Sequence, residues 1–411
     1  MKRYIFAFLI YLSISVQVTL ACTSIIVSGK ASVDGRPFIF KNGDTTDLNV
    51  VTAYFQGEKF LFSAVVCAKD YKPERVRSGY NETGFAIINT NGKNLNSGNR
   101  NDSNNTRVMR RALEICATLK DFETLLDTLP RPLHMNSNFG VMDATGGVAY
   151  YEVGNKNYVK YDANDPKVAP KGYLIRSNYG MSGDKSRGSG YERYKAMEMF
   201  IDGVKRKGKI NYKDVIRGAS RYLTHGESKV NLRNHLPKDA GLPVFVTFDN
   251  FIPRIQTANA QLIQGIKLGE HPLETVAWTI CGSPLTTVCI PVWINPGHSL
   301  PKILSPKSNG HSPMADAGLV LKKRLFPKSK KRKPNEINLA QLVNQAGTGI
   351  LQKIEPVEDE IFRRAERVLR SVCKRGSAGT ETDTFYKWLD QYVPTEYDKR
   401  FGIKDPFYDK N

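Results

Sequence analysis

Residues 22–45 read Cys22-Thr23-Ser24-Ile25-Ile26-Val27-Ser28-Gly29-Lys30-Ala31-Ser32-Val33-Asp34-Gly35-Arg36-Pro37-Phe38-Ile39-Phe40-Lys41-Asn42-Gly43-Asp44-Thr45. Two β-rich runs, 23–27 and 37–40, flank the turn signal Val33-Asp34-Gly35, and Asn42-Gly43-Asp44 marks the next turn before a third run at 51–55. This alternation predicts stacked hairpins. What precedes Cys22 differs in kind: Lys2 and Arg3 lead an apolar run over 4–20, with the small residues Thr19 and Ala21 at the positions that signal peptidase inspects. Ser13, Ser15 and Gln17 interrupt that run and no basic cluster follows it, so residues 1–21 read as a removed signal rather than a membrane anchor. The expected mature chain begins at Cys22 and is secreted or periplasmic.

Outward from this stretch, strand and helix blocks alternate. A strand at 85–89 leads into a polar Asn/Gly/Ser-rich loop over 90–105, followed by helices from about residue 106 and over 121–129. A hairpin over 138–153 turns at Ala144-Thr145-Gly146-Gly147. A glycine-rich loop, 181–190, then gives way to helices over 191–205 and 212–223 and to strand-like runs near 244–248, 275–280 and 287–293. Residues 296–335 form a basic Pro/Lys-rich stretch that includes Lys328-Ser329-Lys330-Lys331-Arg332-Lys333 and reads as an exposed loop. Helical periodicity returns over 337–351, 357–373 and 382–392. The expectation is an α+β domain over 22–295, sheets sandwiched by helices, with a helical segment over 336–411 packed on the same domain.

Composition narrows the chemistry. The formal net charge of +20 favours anionic substrates, lipopolysaccharide or membrane surfaces near the protein. Nucleic acid is disfavoured, because the basic residues are scattered and no zinc-finger or RNP-type motif is present. The six histidines (134, 225, 235, 271, 298, 311) show neither H-E-x-x-H nor a Cys/His zinc spacing, so no metal or other cofactor is expected. The chain also has no G-x-S-x-G elbow, no phosphate-cradling loop and no papain-like cysteine context. Six cysteines (22, 67, 116, 281, 289, 373) are too few for a disulfide scaffold, although Cys281 and Cys289 flank a turn and one bridge between them is open.

Cys22 is singled out by position. A thiol on the first residue of a mature chain has a free amine on the same residue, and reference pKa values of about 8.5 and about 7.7–8.0 let that amine take the thiol proton near neutral pH. Two other readings compete. Lipidation would acylate both groups, although Thr19 and Leu20 depart from the usual lipobox. Alternatively, Cys22 is an ordinary strand-initiating cysteine with the signal cut elsewhere.

The opening at 22–45 resembles that of the cysteine N-terminal-nucleophile hydrolases, the superfamily of bile salt hydrolase, penicillin V acylase, the acyl-coenzyme A:6-aminopenicillanic acid acyltransferase and the dipeptidase A peptidases. Lys41-Asn42-Gly43-Asp44 is similar to the family's R-N-x-D segment, with lysine for arginine. The resemblance implies that Asp44 holds the nucleophile's ammonium and that Lys41 lies near thiol and substrate, without arginine's bidentate fork. Asp44 as a plain turn residue is the competing reading. Tyr80-Asn81-Glu82-Thr83-Gly84-Phe85-Ala86 resembles N-E-x-G-L-A, which implies an oxyanion-binding asparagine shortly after it: Asn91 first, Asn89 as the alternative. Leu174-Ile175-Arg176-Ser177-Asn178-Tyr179 resembles T-N-H or T-N-S and makes Asn178 the partner that orients the amine or amide. Ser189-Gly190-Tyr191-Glu192-Arg193-Tyr194 resembles S-x-x-R-Y, with Arg193 reaching back to the site unless it is a surface helix arginine. Asn138-Phe139-Gly140-Val141-Met142-Asp143-Ala144 matches a further family segment, read as structural.

These motifs span 22–293 and imply a four-layer αββα sandwich. The activity implied is cleavage of a linear C–N amide in a small-molecule substrate, an anionic one being compatible with the charge. A dipeptidase or acyltransferase of the same fold is the alternative within the enzyme class, and a non-catalytic lipoprotein or binding protein is the alternative outside it. Self-association into a homo-oligomer stays open.

Overall fold

The computed structural model describes residues 22–68, 75–96, 102–295, 297–328, 332–375 and 379–407. The expected signal, 1–21, lies outside the described residues, as do residues 329–331 of the basic run. One sheet has six antiparallel strands in the order β10 (Tyr173–Arg176), β1 (Thr23–Val27), β2 (Phe38–Asp44), β12 (Thr257–Gln264), β13 (Val276–Cys281) and β14 (Cys289–Trp293). The other has seven, in chain order: β3 (Val50–Gln56), β4 (Leu61–Cys67), β5 (Val76–Asn81), β6 (Ala86–Asn91), β7 (Ser137–Met142), β8 (Val148–Val153) and β9 (Tyr158–Asp162). A two-stranded ribbon, β11 (Phe245–Thr247) with β15 (Glu336–Asn338), stands apart.

The period-two alternation of side chains explains the layering. In β1 and β2, Ile26 and Ile39 face the second sheet, where they meet Ile88, Met142 and Tyr150. Their neighbours Ile25, Val27, Phe38 and Phe40 face the other way, into a core shared with the helices. The second sheet splits likewise, with Ile87, Phe139, Val141 and Tyr151 packed beneath α1 (Asp102–Ile115) and α2 (Leu119–Thr128). Two helical layers therefore enclose two sheets, the expected four-layer αββα sandwich. A Cβ on Gly140 would lie 2.9 Å from Ile88 and 3.1 Å from Ile26, so the sheets approach closely there.

The outer layer over the first sheet contains α3 (Tyr191–Lys205), α4 (Pro313–Leu325), α5 (Leu339–Leu342), α6 (Ile350–Arg375) and α7 (Thr380–Phe401). α4 lies inside the stretch that composition reads as loop. Ser312 caps it by accepting from the Ala315 amide at 3.1 Å, Pro313 occupies its first turn, and Met314, Ala317, Leu321 and Leu325 form its buried stripe. Of the basic run, Arg332 places its guanidinium 3.9 Å from the ring centre of Phe245. The expected helix at 337–351 divides into β15, α5 and the start of α6, because Gly347 takes a positive φ of 70°. The helix expected over 212–223 forms a π-turn at Asp214–Gly218 and a 3-10 turn at Ala219–Arg221. The helix expected from residue 106 starts at Asp102. All six cysteines are free; β-register sets Cys289 opposite Ile280, while the Cys281 thiol contacts the Val50 carbonyl at 2.9 Å.

α6 and α7 are fastened to the first sheet by contacts of high specificity. Trp278 of β13 stacks between Phe362 and Tyr212, with ring centroids 4.8 and 4.9 Å away. The Tyr386 hydroxyl of α7 accepts from the Trp293 amide at 2.9 Å. Glu358 of α6 is fully buried and receives Arg221 through two hydrogen bonds of 2.6 and 2.7 Å, together with the Cys289 amide at 2.6 Å. Removing one partner of such a pair strands a buried charge, which costs about 3–5 kcal/mol, whereas replacing both with apolar residues is far milder. Glu358→Ala is therefore expected to lose about 3–5 kcal/mol in urea denaturation, and Arg221→Met with Glu358→Leu less than either single change. A double variant as damaged as the two singles combined would contradict this account.

Candidate functional site

Cys22 lies immediately before β1, half-buried, at the edge of a cavity of about 70 Å³. Strand pairing brings the other groups there. β1 and β2 pair with Thr23 opposite Asn42, so the end of β2, with Lys41 and Asp44, runs beside Cys22. β10 pairs with β1 through Arg176 and Ser24, delivering Asn178 just beyond its end. Gly190, at a φ of 84°, precedes α3 and lets its first turn present Arg193 inward.

The Cys22 nitrogen donates to Asn178 Oδ1 at 2.9 Å. In the full chain that nitrogen is the amide joining residues 21 and 22, and it stands in for the α-amine that cleavage would create. Asn178 Nδ2 donates to the Asn91 carbonyl at 3.1 Å. Arg193 completes the cluster: Nη1 donates to the Cys22 carbonyl at 2.6 Å and to Thr23 Oγ1 at 3.0 Å, and Nη2 donates to Asn178 Oδ1 at 2.8 Å. Arg193 is 2% exposed, so it is no surface helix arginine, and burial pushes its guanidinium down to about 10 against the pull of Asp44.

Asp44 is also buried and is no exposed turn residue. It accepts from Thr257 Oγ1 at 2.6 Å and lies 3.5 Å from Arg254, while the Cys22 nitrogen's own hydrogen bond goes to Asn178. Burial raises the Asp44 carboxyl, and Arg254 and Arg193 oppose that rise. Lys41 is buried with its ammonium donating to Asn89 Oδ1 and to the Arg77 carbonyl, each at 2.8 Å. Desolvation lowers Lys41 from its ordinary value, opposed first by Cys22.

The two candidate oxyanion donors differ in their engagement. Asn89 is committed at both ends, accepting from Lys41 and donating through Nδ2 to Ser137 Oγ at 3.3 Å. Asn91 lines the cavity and accepts through Oδ1 from Asn105 Nδ2 at 3.2 Å; its own Nδ2 bonds to none of the described residues. With Asn105 donating to its oxygen, the Asn91 amide keeps Nδ2 as a donor.

Further residues join the site without a sequence signal of their own. Asn259 of β12 lines the cavity and abuts Gly43, where an added Cβ would fall 2.1 Å from Asn259 Oδ1. Arg77 and Asn105 line the cavity, and Arg254 lies beside Asp44. Lys322 of α4, 5% exposed, donates to the Thr257 carbonyl at 3.0 Å near Asp44, and burial lowers its ammonium to about 8. A larger open groove of about 680 Å³, lined by Lys93, Asn155 and Asp184, holds no cysteine. Among the described residues no group of three or more His, Cys, Asp or Glu could hold a metal, and no helix is long and apolar enough to cross a membrane.

Two outcomes follow from this geometry. Gly43→Ala is expected to cost about 1–3 kcal/mol through overpacking, and Asn259→Gly in the same chain to restore much of it, measured by urea denaturation; failure of the second change to rescue would place the strain elsewhere. Lys322 binds its proton more weakly folded than unfolded, so from pH 10.5 down to about 8 its contribution to stability is progressively lost. Lys322→Met is therefore expected to gain stability relative to the parent over that descent, read from paired denaturation curves at each pH.

No protein-family model matches the chain, and no curated protein matches it. Among solved structures it is similar to the N-acylethanolamine-hydrolyzing acid amidase ortholog of Caenorhabditis elegans, with 16% identity over 59% of this chain and 92% of that one and a TM-score of 0.36. It is similar to a mutant of the conjugated bile acid hydrolase of Clostridium perfringens, with 10% identity over 66% of this chain and 92% of that one and a TM-score of 0.39. The penicillin V acylase of Agrobacterium tumefaciens is also similar, with 14% identity over 66% of this chain and 86% of that one and a TM-score of 0.36.

Proposed function

We propose that this chain, once freed of residues 1–21 on export to a secreted or periplasmic location, is an amidohydrolase whose nucleophile is the Cys22 thiol. The observation that carries the reading is the arrangement around the Cys22 nitrogen. Asn178, itself held by Arg193, accepts from that nitrogen while the thiol-bearing residue borders a cavity containing an amide donor, Asn91 Nδ2, that bonds to none of the described residues.

The chemistry balances with the chain's own groups. The α-amine takes the thiol proton and sulfur adds to the amide carbonyl, forming a tetrahedral intermediate whose oxyanion Asn91 Nδ2 receives. The intermediate collapses with cleavage of the C–N bond, and the α-ammonium returns its proton to the departing amine. The thioester then reacts with water, whose proton passes to the α-amine. Cleavage of the C–S bond releases the carboxylic acid and restores the thiol. Asn178 orients the amine throughout, and Arg193 holds the Cys22 carbonyl so that the residue cannot turn away. Asp44, Lys41 and Asn89 shape the field and the wall around the nucleophile.

The test uses protein beginning at Cys22, the same protein with Cys22→Ala, and a chain retaining residues 1–21, on a panel of penicillin V, a glycine-conjugated bile acid, an acyl-homoserine lactone, dipeptides and short N-acyl amides. Only the first is expected to release amine, because an amide nitrogen at position 22 is no base. Asn91→Ala is expected to lower kcat roughly 10²–10³-fold and Asn89→Ala less. Activity in the Cys22→Ala protein, or diacylglyceryl mass on Cys22 in the exported protein, would sink the reading.

A further inference from the structure

Cys22 stands before β1, and Ser28 follows the same strand at its other end, roughly 20 Å away at the usual rise per residue. Ser28 borders a second groove, of about 450 Å³, formed where the turn after β1, the β9–β10 connection over 163–172 and the chain after α3 meet. The serine is fully buried and its backbone is engaged: its amide donates to the Gly172 carbonyl at 2.9 Å, and its carbonyl accepts from the Ala31 amide at 3.0 Å. Its hydroxyl bonds to none of the described residues. A buried hydroxyl without a partner costs free energy, which a partner from outside the chain would recover. Gly172 lies opposite at the sheet edge with a φ of 72° and has no side chain to cover the hydroxyl; a Cβ there would lie 3.0 Å from Ser28 Oγ.

Four lysines share this groove, Lys30, Lys171, Lys205 and Lys209, and neither a carboxylate nor an arginine is among its described lining residues. Two of them are engaged: Lys171 reaches Asp202 at 3.0 Å, and Lys205 donates to the Lys171 carbonyl at 3.2 Å. The ammonium groups of Lys30 and Lys209 bond to none of the described residues. Their backbones are nevertheless tied together, because the Ile210 amide donates to the Ala31 carbonyl at 2.9 Å and the Val33 amide to the Ile210 carbonyl at 3.0 Å. The fold thereby sets Lys30 and Lys209 beside each other, each adjacent in sequence to a bonded residue. The type of cation narrows the ligand. A lysine ammonium is a point charge without arginine's planar fork, so a group of lysines favours a compact ion of high charge over a flat carboxylate. A phosphate monoester carries about two negative charges near neutral pH and offers strong acceptor oxygens.

We propose that this groove binds a phosphate group, whose oxygens accept from the Ser28 hydroxyl and from the ammonium groups of Lys30 and Lys209, with Lys171 and Lys205 adding to the attraction. The site is separate from the Cys22 cavity and does not depend on the reaction proposed there. The shared chemistry is the phosphate monoester; a soluble ester and a lipid headgroup are its two sources.

Inorganic phosphate is titrated by calorimetry into protein beginning at Cys22 at constant ionic strength, with acetate as the control anion. Saturable binding of phosphate and none of acetate is expected, weakening as salt is added. Ser28→Ala, and separately Lys30→Gln combined with Lys209→Gln, are each expected to weaken it roughly tenfold. Both proteins are expected to fold, since the first change removes an unmet hydroxyl and the second alters exposed side chains. Lys323→Gln with Arg324→Gln removes exposed cations from α4 and is expected to leave binding unchanged. Absence of saturable binding overturns the proposal. So does a Ser28→Ala protein that binds like the parent, or a loss in the α4 variant equal to that in the lysine groove variant. Glycerol 3-phosphate and vesicles of phosphatidylcholine with phosphatidic acid then separate the sources. Tighter binding of the ester than of inorganic phosphate identifies a soluble ligand, and sedimentation with the mixed vesicles but not with phosphatidylcholine alone identifies the headgroup.

Discussion

A single buried cation organises the centre of this molecule. Arg193 is withdrawn from water and must spend its donors inside the protein, and three of its hydrogen bonds go to the Cys22 carbonyl, Thr23 Oγ1 and Asn178 Oδ1. It thereby ties the start of β1 to the end of β10 from the first turn of α3. The cost of its desolvation is offset by those contacts and by the nearby Asp44. Asp44 in turn is balanced from two distant elements, Arg254 before β12 and Lys322 on α4. The helical layer over the first sheet is consequently not a passive cover, because its α4 carries a charge that the centre uses.

This dependence sets what could be read from sequence. The stretch at 22–45 was legible, because its strands are apolar and β-branched and its turns carry Asp-Gly and Asn-Gly signals. Cys22, Lys41, Asp44, Asn89 and Asn91 sit on or beside such elements and line one cavity together with Asn178, while Arg193 contacts Cys22 from behind. β12 was not legible. Its sequence, Thr-Ala-Asn-Ala-Gln-Leu-Ile-Gln, is half polar, yet all eight residues are buried in the middle of a sheet covered on both faces. Gln264 is paired at both ends, donating to Asp34 and accepting from Trp278, and Gln261 donates to Thr279 Oγ1. With β12 unread, Asn259 and Thr257 were invisible as members of the site.

Lys322 was hidden for the opposite reason. It stands in the run Lys322-Lys323-Arg324 within a basic stretch, where charge alone predicts solvation. The helical period separates the three residues: Lys322 turns inward beside Leu321 and Leu325, while Lys323 and Arg324 are exposed. Arg77 and Asn105 were missed because their value depends on neighbours brought in by other strands and loops, Cys67 and Thr45 for the one and Asn91 for the other.

The same geometry bears on why cleavage at Cys22 would serve as a switch without rearrangement. The nitrogen of residue 22 already points at Asn178 and the carbonyl is already held by Arg193, both while the preceding residue is attached. Cleavage after residue 21 would change the chemical nature of one atom, from an amide with no basic lone pair to an amine, and leave its partners where they are. Under the proposed reaction, the β1–β10 pairing and the buried arginine would order Cys22 and Asn178 beforehand, so that little conformational entropy would remain to be lost in forming the reactive arrangement. A nucleophile placed on a strand interior could share the scaffold, but it would lack this base. Among the described residues Cys22 combines a thiol, a backbone nitrogen that cleavage after residue 21 would free as an amine, and an acceptor already bonded to that nitrogen, Asn178.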